Sequence, residues 1–283
     1  MYAFEARADY LALCGDIGHV SKPDYVNFLI EQAQRYKKVF VVAGNHEHFK
    51  LRYSECKQKM QEVCSKHPNI IFMNKHAEMI QVTNPNDNQT QSIRVIGCTL
   101  WSHIPKEEIS IRTDVMNDYK LIYQDNPDKL EPISVTDTNN WHKDEVQWIA
   151  HQIEEAKAEK QKVVVLTHHV PSLRISGTDY GYGTNLEYLL GGPVVLWCFG
   201  HTHCSCQSLI KGTLLCSNQQ GYIMMGEKTG FHSEFVVQIF EKECKVVYDD
   251  AALKKMKQQE KEMLAKMAAS ASPPPVAPPP PPQ

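Results

Sequence analysis

Short hydrophobic runs alternate with amphipathic stretches along most of the chain. The runs are rich in valine, isoleucine and leucine, and each ends in a polar or glycine-containing turn. They read YLALCGD, KVFVVAGNHE, SIRVIGCTLW, KVVVLTHH, PVVLWCFGHTH and EFVVQIF. Runs of this length and composition are typical of strands that are buried on both faces of a sheet. The pattern predicts a layered α/β protein.

Three helices are predicted between these strands. The first covers residues 23–37, opens with a proline and an aspartate, and carries apolar residues at helical spacing. The others cover residues 51–66 and 139–160. Because strands and helices alternate, we expect an α/β sandwich. Residues 84–92, NPNDNQTQS, are predicted to form a turn or hairpin loop between two strands.

The composition changes near residue 248, which predicts one folded domain over residues 1–248. Residues 249–270 are rich in strong helix formers with a narrow apolar stripe, so we expect a solvated helix, with partner binding as the alternative. Residues 271–283 end in SPPPVAPPPPPQ, which predicts an extended polyproline tail. Such a tail is either a linker or a ligand for an SH3, WW or profilin-type partner.

Composition and charge narrow the class of protein. The chain has 283 residues, 42% of them hydrophobic, and a formal net charge of −3, so it has no basic excess for nucleic acid or an anionic membrane. No apolar run approaches the ~20 residues of a membrane-spanning helix. Glu5, Arg7 and Asp9 interrupt the region where a secretory signal would lie. Nine scattered cysteines suit reduced thiols, and we expect a cytoplasmic protein.

Side chains that can bind metals follow four of the predicted strands. They are Asp16 in LCGDIG, Asn45 and His46 in AGNHE, His168 in LTHH, and His201 and His203 in GHTH. Strand ends at one sheet edge are where α/β proteins build their sites. Oxygen and imidazole donors suit Mn, Fe or Zn. Cys198, Cys204 and Cys206 flank GHTH, but these donors explain a metal without them, which favours a structural role for the cysteines.

Each motif alone has an ordinary explanation, either as a turn or as a histidine whose hydrogen bonds are made within the fold. The occurrence of all four motifs together is a much more specific signal. In this order, GD, GNHE, HH and GHTH resemble the calcineurin-like metallophosphoesterase family from about residue 9 to residue 240. The resemblance implies a four-layer α/β/β/α sandwich with two metal ions between its sheet edges. The family pattern begins with Asp-x-His at the end of a first strand, and no such motif precedes Asp16. We therefore expect YLALCGD to be the second strand of an N-terminally incomplete sandwich, followed by the C-terminal helix and Pro-rich tail.

The resemblance also assigns the metal ligands one position at a time. Asp16 corresponds to the carboxylate that bridges the two ions. Asn45, His168 and His201 correspond to the remaining ligands of the second ion. His203 corresponds to a ligand of the first ion, whose other ligands would come from the missing motif. Two divalent ions are implied, with Mn favoured over Fe and Zn, and the first site is expected to be incomplete.

The chemistry implied by the family is hydrolysis of a phosphate ester. Two ions about 3.5–4 Å apart hold phosphoryl oxygens and activate a bound water. His46 resembles the histidine that stabilises the transition state or protonates the leaving oxygen, so His46 and Asp16 are the expected catalytic residues. The substrate is expected to be a phosphorylated small molecule or phosphoprotein, as a monoester or a diester.

Other residues near the motifs have two interpretations each. Three are candidates to contact substrate or to support the metal ligands: His169, Asp118 and Tyr119. Trp101 either lines a pocket or packs in the core. Glu47 and His48 either support the site or lie at the surface.

Three interpretations of the whole chain remain open. The first is an active phosphoesterase whose first strand is missing from this sequence. The second is a protein that binds one metal, with weak hydrolysis or none. The third is a binding scaffold on the same fold that recruits partners through its Pro-rich tail. Retention of His46 favours the first, because a scaffold has no chemical need for that residue.

Overall fold

The computed structural model describes residues 4–83, 88–177, 179–239 and 244–247. The strands are β1 (Tyr10–Cys14), β2 (Lys38–Val42), β3 (Ile70–Phe72), β4 (His76–Thr83), β5 (Thr90–Cys98), β6 (Lys162–Thr167), β7 (Val194–Cys198), β8 (Cys206–Ile210), β9 (Thr213–Ser217), β10 (Val236–Ile239) and β11 (Cys244–Val247). The α-helices are α1 (Pro23–Ala33), α2 (Asn45–His48), α3 (Tyr53–Cys64), α4 (Ile109–Val115), α5 (Asp118–Leu121), α6 (Val135–Ala158) and α7 (Leu173–Ser176). The predicted segments 249–270 and 271–283 lie outside the described residues.

The strands form three sheets. One sheet is parallel, with the order β1-β2-β3. The largest sheet has the order β4-β5-β6-β7-β9-β8, in which β5, β6, β7 and β9 run parallel and the edge strands β4 and β8 run antiparallel to their neighbours. The third is the antiparallel pair β10-β11. The parallel strands bring their carboxyl ends to one edge of each sheet, where the polar motifs lie.

The three-stranded sheet has apolar layers on both faces. Along β2, Val39 and Val41 pack in the cluster that contains α1 and α3. The alternate residues, Phe40 and Val42, pack in the cluster between this sheet and the six-stranded one. Because successive strand residues point to opposite faces, β2 is buried on both sides. This explains the continuous apolar run KVFVV.

The six-stranded sheet is covered by helix α6 on its outer face. Ile149 and Ile153 of α6 share a buried cluster with Val163 and Val165 of β6. Val164, between these two strand residues, points into the cluster shared with the other sheet. The layers therefore follow the order α1 and α3, first sheet, second sheet, α6. The predicted four-layer α/β/β/α sandwich is confirmed.

The predicted helices form close to their expected positions. Helices α1 and α3 lie within the predicted segments, and α6 begins earlier than predicted because Ser134 caps it: its hydroxyl accepts from the Asp137 amide. Strands β4 and β5 pair antiparallel across the predicted hairpin connection, and β5 already begins at Thr90. None of the helices in the described part of the chain is long and apolar enough to cross a bilayer.

Strand β1 lies at the edge of its sheet. Within the described residues it pairs with β2 alone, and no described strand precedes it. Its other edge borders a cavity of about 1000 Å³ whose far side is β10 and whose floor includes Val95, Leu166 and Leu196 of the six-stranded sheet. The same cavity reaches Asp16 and His203. The interior between the sheets is therefore continuous with the edge that carries the polar motifs.

Candidate metal centre

Four strand ends from the two large sheets meet at one edge of the sandwich. Asp16 and Asn45 follow β1 and β2, while His168 and His201 follow β6 and β7. The turns are tied together by backbone hydrogen bonds, including one from the Gly200 amide to the His168 carbonyl at 2.9 Å. Four of the five residues that the sequence predicts as ligands are thus brought together although they are far apart in the chain.

Four side-chain atoms converge in this edge. The Nε2 atom of His168 lies 3.0 Å from Asn45 Oδ1 and 3.2 Å from His201 Nδ1. The same nitrogen lies 3.4 Å from Asp16 Oδ2. Atoms that bind one ion at about 2.0–2.2 Å are separated from each other by roughly 3–3.5 Å. The observed spacing therefore fits a shared divalent ion.

The orientation of both imidazole rings directs a lone pair into this cluster. His168 Nδ1 donates to the Cys14 carbonyl at 2.8 Å, and His201 Nε2 donates to the Gly181 carbonyl at 3.3 Å. A neutral imidazole donates from one nitrogen only. The opposite nitrogens, His168 Nε2 and His201 Nδ1, therefore accept rather than donate, and they face each other. A proton or a metal ion between these two nitrogen atoms removes the repulsion between their lone pairs.

Asn45 is oriented in the same way by a buried carboxyl group. Its Nδ2 atom donates to Asp118 Oδ1 at 2.7 Å, so Oδ1 of the amide is turned towards His168. Asp118 is 2% exposed, and burial raises its pKa to about 6. The predicted supporting role of Asp118 is therefore matched by a contact to a proposed ligand. Without this contact, the amide would be free to turn its NH₂ group into the cluster.

The charges around the cluster favour a cation at its centre. Burial lowers the pKa of His168, but the neighbouring Asp16 carboxylate outweighs burial and holds the pKa above its ordinary value. Burial alone would raise the pKa of Asp16, yet His168 and the other histidines hold it well below its ordinary value. Burial lowers the pKa of His201 to about 3, so this ring is neutral. A divalent ion suits the position that the extra proton of His168 would otherwise take.

The backbone of the site is held in unusual conformations. Asp16, His201 and His203 have φ angles of 57°, 72° and 51° in the left-handed region. Such conformations cost of order 1–3 kcal/mol each in residues other than glycine. At Gly44 an added Cβ would lie 2.2 Å from Asp16 Oδ1, so only glycine allows the two motif turns to approach this closely.

Glu47 joins these two turns beneath the ligands. Its Oε2 accepts from the amides of Asp16 at 2.8 Å and Gly44 at 2.7 Å, and its Oε1 accepts from those of Ile17 at 2.7 Å and Gly18 at 3.2 Å. The side chain is fully buried, and burial, aided by the Asp16 charge, raises its pKa to about 7. Of the two interpretations of Glu47 from the sequence, these contacts match a supporting position rather than one at the surface. Glu47 is the third residue after Gly44, the N-cap of α2, and a glutamate at this position is the sequence feature that could have indicated the contact.

A second, more open group of side chains lies beside the cluster. His46 Nε2 is 3.9 Å from Asp16 Oδ2 and 3.3 Å from the Tyr222 hydroxyl, and its ring stacks on Phe49. His203 is not among the residues whose donor atoms lie within 4.8 Å of one another, which are Asp16, His168 and His201. His203 instead pairs with Glu227, and its ring packs against Tyr222. Tyr222 and Glu227 were not predicted, because no motif connects them with the site.

The remaining candidate residues lie behind the cluster. The His169 ring is buried, lies 4.3 Å from that of His201, and its Nδ1 has no partner among the described residues. Tyr119 is buried with its hydroxyl 3.0 Å from that of Thr138 in α6. Trp101 is 2% exposed and belongs to the same apolar cluster as Tyr119. Trp101 therefore packs in the core, and the predicted roles of His169 and Tyr119 in substrate contact stay predictions.

The cysteines do not form a metal group in the described part of the chain. The group of three or more ligating side chains found there contains no cysteine. All nine thiols are free, and the Cys198 sulfur lies 3.6 Å from that of Cys216 on the neighbouring strand β9. This arrangement agrees with the structural role that the sequence favours for Cys198.

The α/β/β/α sandwich carries a candidate metal centre of oxygen and imidazole donors at its strand ends. The model of the calcineurin-like phosphoesterase family matches residues 2–205. The chain therefore belongs to the calcineurin-like phosphoesterase family, whose members are metal-dependent phosphoester hydrolases. The family predicted from the four motifs is confirmed.

Two individual proteins are similar to this chain over most of its length. An uncharacterized protein of Acanthamoeba polyphaga mimivirus is 30% identical over 232 residues, which cover 75% of this chain and 78% of that protein. The crystal structure of a phosphopantetheinyl hydrolase from Mycobacterium tuberculosis superposes with a TM-score of 0.59 at 14% identity, covering 85% of this chain and 86% of that one. At this identity the second similarity concerns the fold alone.

Proposed function

We propose that this protein hydrolyses phosphate esters with a hydroxide activated by two divalent ions. The supporting observation is the convergence of donor atoms from Asp16, His168 and His201 beside His46. Asn45 adds a fourth donor to the cluster, and Asp16 and His203 are the residues that would hold the other ion. The oxygen and imidazole donors suit Mn, Fe or Zn, and we propose Mn as the favoured metal.

The chain's own residues have distinct tasks in this reaction. Bound ions would hold the phosphoryl oxygens and lower the pKa of a bound water. Asp16, Asn45, His168 and His201 would hold one ion, through the atoms that converge. His46 donates a proton from Nε2 to the leaving oxygen, since this atom faces the open side of the cluster.

The exposure of side chains on the open side of the site supports our proposal for the substrate class. His46, His203 and Tyr222 are partly exposed around the cluster, so an esterified phosphate has access without a closed pocket for its leaving group. We propose a phosphorylated small molecule or a phosphoprotein as substrate. Phosphomonoesters and phosphodiesters both remain candidates, and the assay below separates them.

The test measures hydrolysis of p-nitrophenyl phosphate and bis-p-nitrophenyl phosphate with added Mn²⁺. We expect turnover of at least one ester, loss of this turnover on chelation, and a drop of about 10²–10³-fold in His46→Ala, because the variant lacks the histidine that stabilises the transition state or protonates the leaving oxygen. His151→Ala is the matched control, since this histidine is exposed on α6. Absence of metal-dependent turnover in the wild-type protein, or an unaltered rate in His46→Ala, would contradict the proposal.

A second candidate function is a one-metal protein or a binding scaffold on the same fold. It is favoured by the small ligand set of the first ion, for which the chain provides Asp16 and His203 as predicted ligands. Measuring bound Mn²⁺ per chain discriminates the two: two equivalents support the dinuclear enzyme, and one equivalent without turnover supports the alternative. In the scaffold interpretation, the Pro-rich segment 271–283 is proposed to bind an SH3, WW or profilin-type partner.

A further inference from the structure

The loop after β9 contributes a carboxylate to the open side of the site. Glu227 Oε2 accepts the backbone N–H of Tyr222 at 2.7 Å and lies 2.9 Å from His203 Nδ1. One oxygen atom thus contacts both a predicted metal ligand and the loop residue that packs on it. The sequence offers no motif for this contact, because Glu227 is 24 positions from His203 in the chain.

The contact with Glu227 decides which nitrogen of His203 is available. A carboxylate accepts a hydrogen bond, so Nδ1 carries the proton and Nε2 keeps its lone pair. Ligating histidines commonly donate their other ring N–H to a carboxylate, which fixes the ring and raises its basicity. The backbone of His203 is held as well, since its amide donates to Gln219 Oε1 at 2.8 Å.

The same carboxylate holds Tyr222 over the site. The Tyr222 ring packs edge-on against His203 with the ring centroids 4.6 Å apart. Its hydroxyl lies 3.3 Å from His46 Nε2, the atom proposed to donate the proton. Tyr222 is 43% exposed, so its hydroxyl is accessible to a substrate that enters from solvent.

The backbone of the loop is shaped for this approach. Gly221 has a φ of +65°, and a Cβ added there would lie 2.4 Å from Glu227 Oε2 and 2.5 Å from Thr229 Cγ2. A side chain at residue 221 would therefore displace the carboxylate. Glycine allows Glu227 to reach Tyr222 and His203 together.

We propose that Glu227 is a positioning residue that fixes His203 as a metal ligand and holds Tyr222 against His46, where Tyr222 contacts the substrate. This inference rests on the proposed function, because it assigns residues to the open side of the same site. Glu227 acts through His203 and Tyr222. Tyr222 acts on the ester through its hydroxyl group.

The experiment combines Mn²⁺ calorimetry with steady-state kinetics on four variants: Glu227→Ala, Glu227→Gln, Tyr222→Phe and Lys228→Gln. We expect Glu227→Ala to weaken one Mn²⁺ equivalent by about 10–100-fold. Glu227→Gln keeps an acceptor oxygen and recovers part of this loss. Tyr222→Phe keeps wild-type Mn²⁺ affinity and changes kcat or KM for the p-nitrophenyl ester. Lys228→Gln is the matched control, because this neighbouring side chain is exposed.

Each result bears on the inference separately from the proposed function. Wild-type Mn²⁺ affinity in Glu227→Ala, or equal losses in Glu227→Ala and Lys228→Gln, overturns the positioning role. Wild-type kinetics in Tyr222→Phe overturns the role of Tyr222. If the wild-type protein binds Mn²⁺ but hydrolyses neither ester, the proposed function fails. The calorimetry on Glu227→Ala still tests the positioning role of Glu227 in that case. If it binds no Mn²⁺, both fail.

Discussion

The two sides of the site are built in different ways. On the closed side, Asn45 and His168 are 5% and 0% exposed, and each holds a hydrogen bond from its outer nitrogen to a fixed oxygen atom. On the open side, the side chains of His46 and His203 are 33% and 28% exposed. The closed side is arranged before any ligand arrives, whereas the open side depends on one surface loop and borders the cavity.

This difference separates two tasks. The proposed ligands of the closed side lie at four strand ends. The atoms that support them come from β1, from α5 and from the loop that contains Gly181. Because these supports come from separate elements, the geometry of the closed side resists local changes. The open side must admit a substrate, and burial of the same depth would exclude one. We therefore expect the buried side chains to bind the ion and the exposed side chains to contact the ester. Substitutions on each side of the site test this division.

Asp16→Asn is expected to reduce kcat/KM for the p-nitrophenyl ester by about a thousandfold, equivalent to about 4 kcal/mol. The substitution removes the negative charge nearest His168 and the oxygen proposed to bridge the ions. The fold is expected to persist, because the amide keeps an oxygen that accepts the His46 N–H, now bonded to Asp16 Oδ1 at 3.0 Å. Asp9→Asn, at an exposed carboxylate, is the control. Retained activity in Asp16→Asn would show that neither side depends on this charge.

His201→Ala and His203→Ala compare the two sides directly. We expect His201→Ala to weaken the tightest Mn²⁺ equivalent by about 100-fold, because it removes one of the four converging donors. His203→Ala should leave that equivalent within about threefold of wild type and lower turnover instead. Calorimetry and kinetics on the two variants measure these effects. Equal losses of the tightest equivalent would contradict the division into a closed and an open side.

Asp118→Ala is expected to weaken the same Mn²⁺ equivalent by about 10–100-fold although Asp118 does not belong to the cluster. Without the carboxyl group, Asn45 loses the acceptor that turns its oxygen towards His168. Asp118→Asn retains an acceptor oxygen and should recover part of the affinity. Asp128→Ala, which removes an exposed carboxylate, is the control. An unchanged affinity in Asp118→Ala would mean that Asn45 is held by other contacts.

The fold could be predicted from the sequence where periodicity is strong. Helix α6 is 24 residues long with apolar residues at helical spacing, and strand β2 is a continuous apolar run, so both are visible in the sequence. Strand β3 is only three residues long, and β8 alternates half-buried with exposed residues, so neither stands out from the surrounding turns. Their positions depend on pairing with β2 and β9, which is a tertiary effect.

The proposed ligands could be selected from the sequence because each lies within a few residues of the end of a hydrophobic run. Asp118 is a candidate from the sequence, but its contact with Asn45 and the contacts of Gly181 and Glu227 could not be predicted. Asp118 lies 73 residues from Asn45, and Gly181 and Glu227 come from loops without a motif. Which carbonyl or carboxylate faces the outer atom of a ligand depends on how loops pack at the sheet edge. A single sequence contains no local pattern for such a contact.

The smallest effect is expected at a buried carboxyl group outside both sides of the site, and it concerns stability. Glu145 is 3% exposed and accepts the Trp101 amide at 3.1 Å, and burial raises its pKa to about 7 from a usual value near 4.5. The folded state therefore binds this proton more tightly than the unfolded state, and stability falls as the pH rises from about 4.5 to 7. Between pH 5 and pH 8 this group should cost about 2 kcal/mol.

Urea unfolding of wild type and Glu145→Gln at both pH values isolates this contribution. The variant has no proton to lose, so its stability should fall less between pH 5 and pH 8, and at pH 8 it should be at least as stable as wild type. Both measurements are made after chelation, so that metal binding at the site does not enter. Equal pH dependence in the two proteins would assign the loss of stability to other groups, of which Glu47, on the closed side, is the strongest because its pKa is also raised to about 7 by burial.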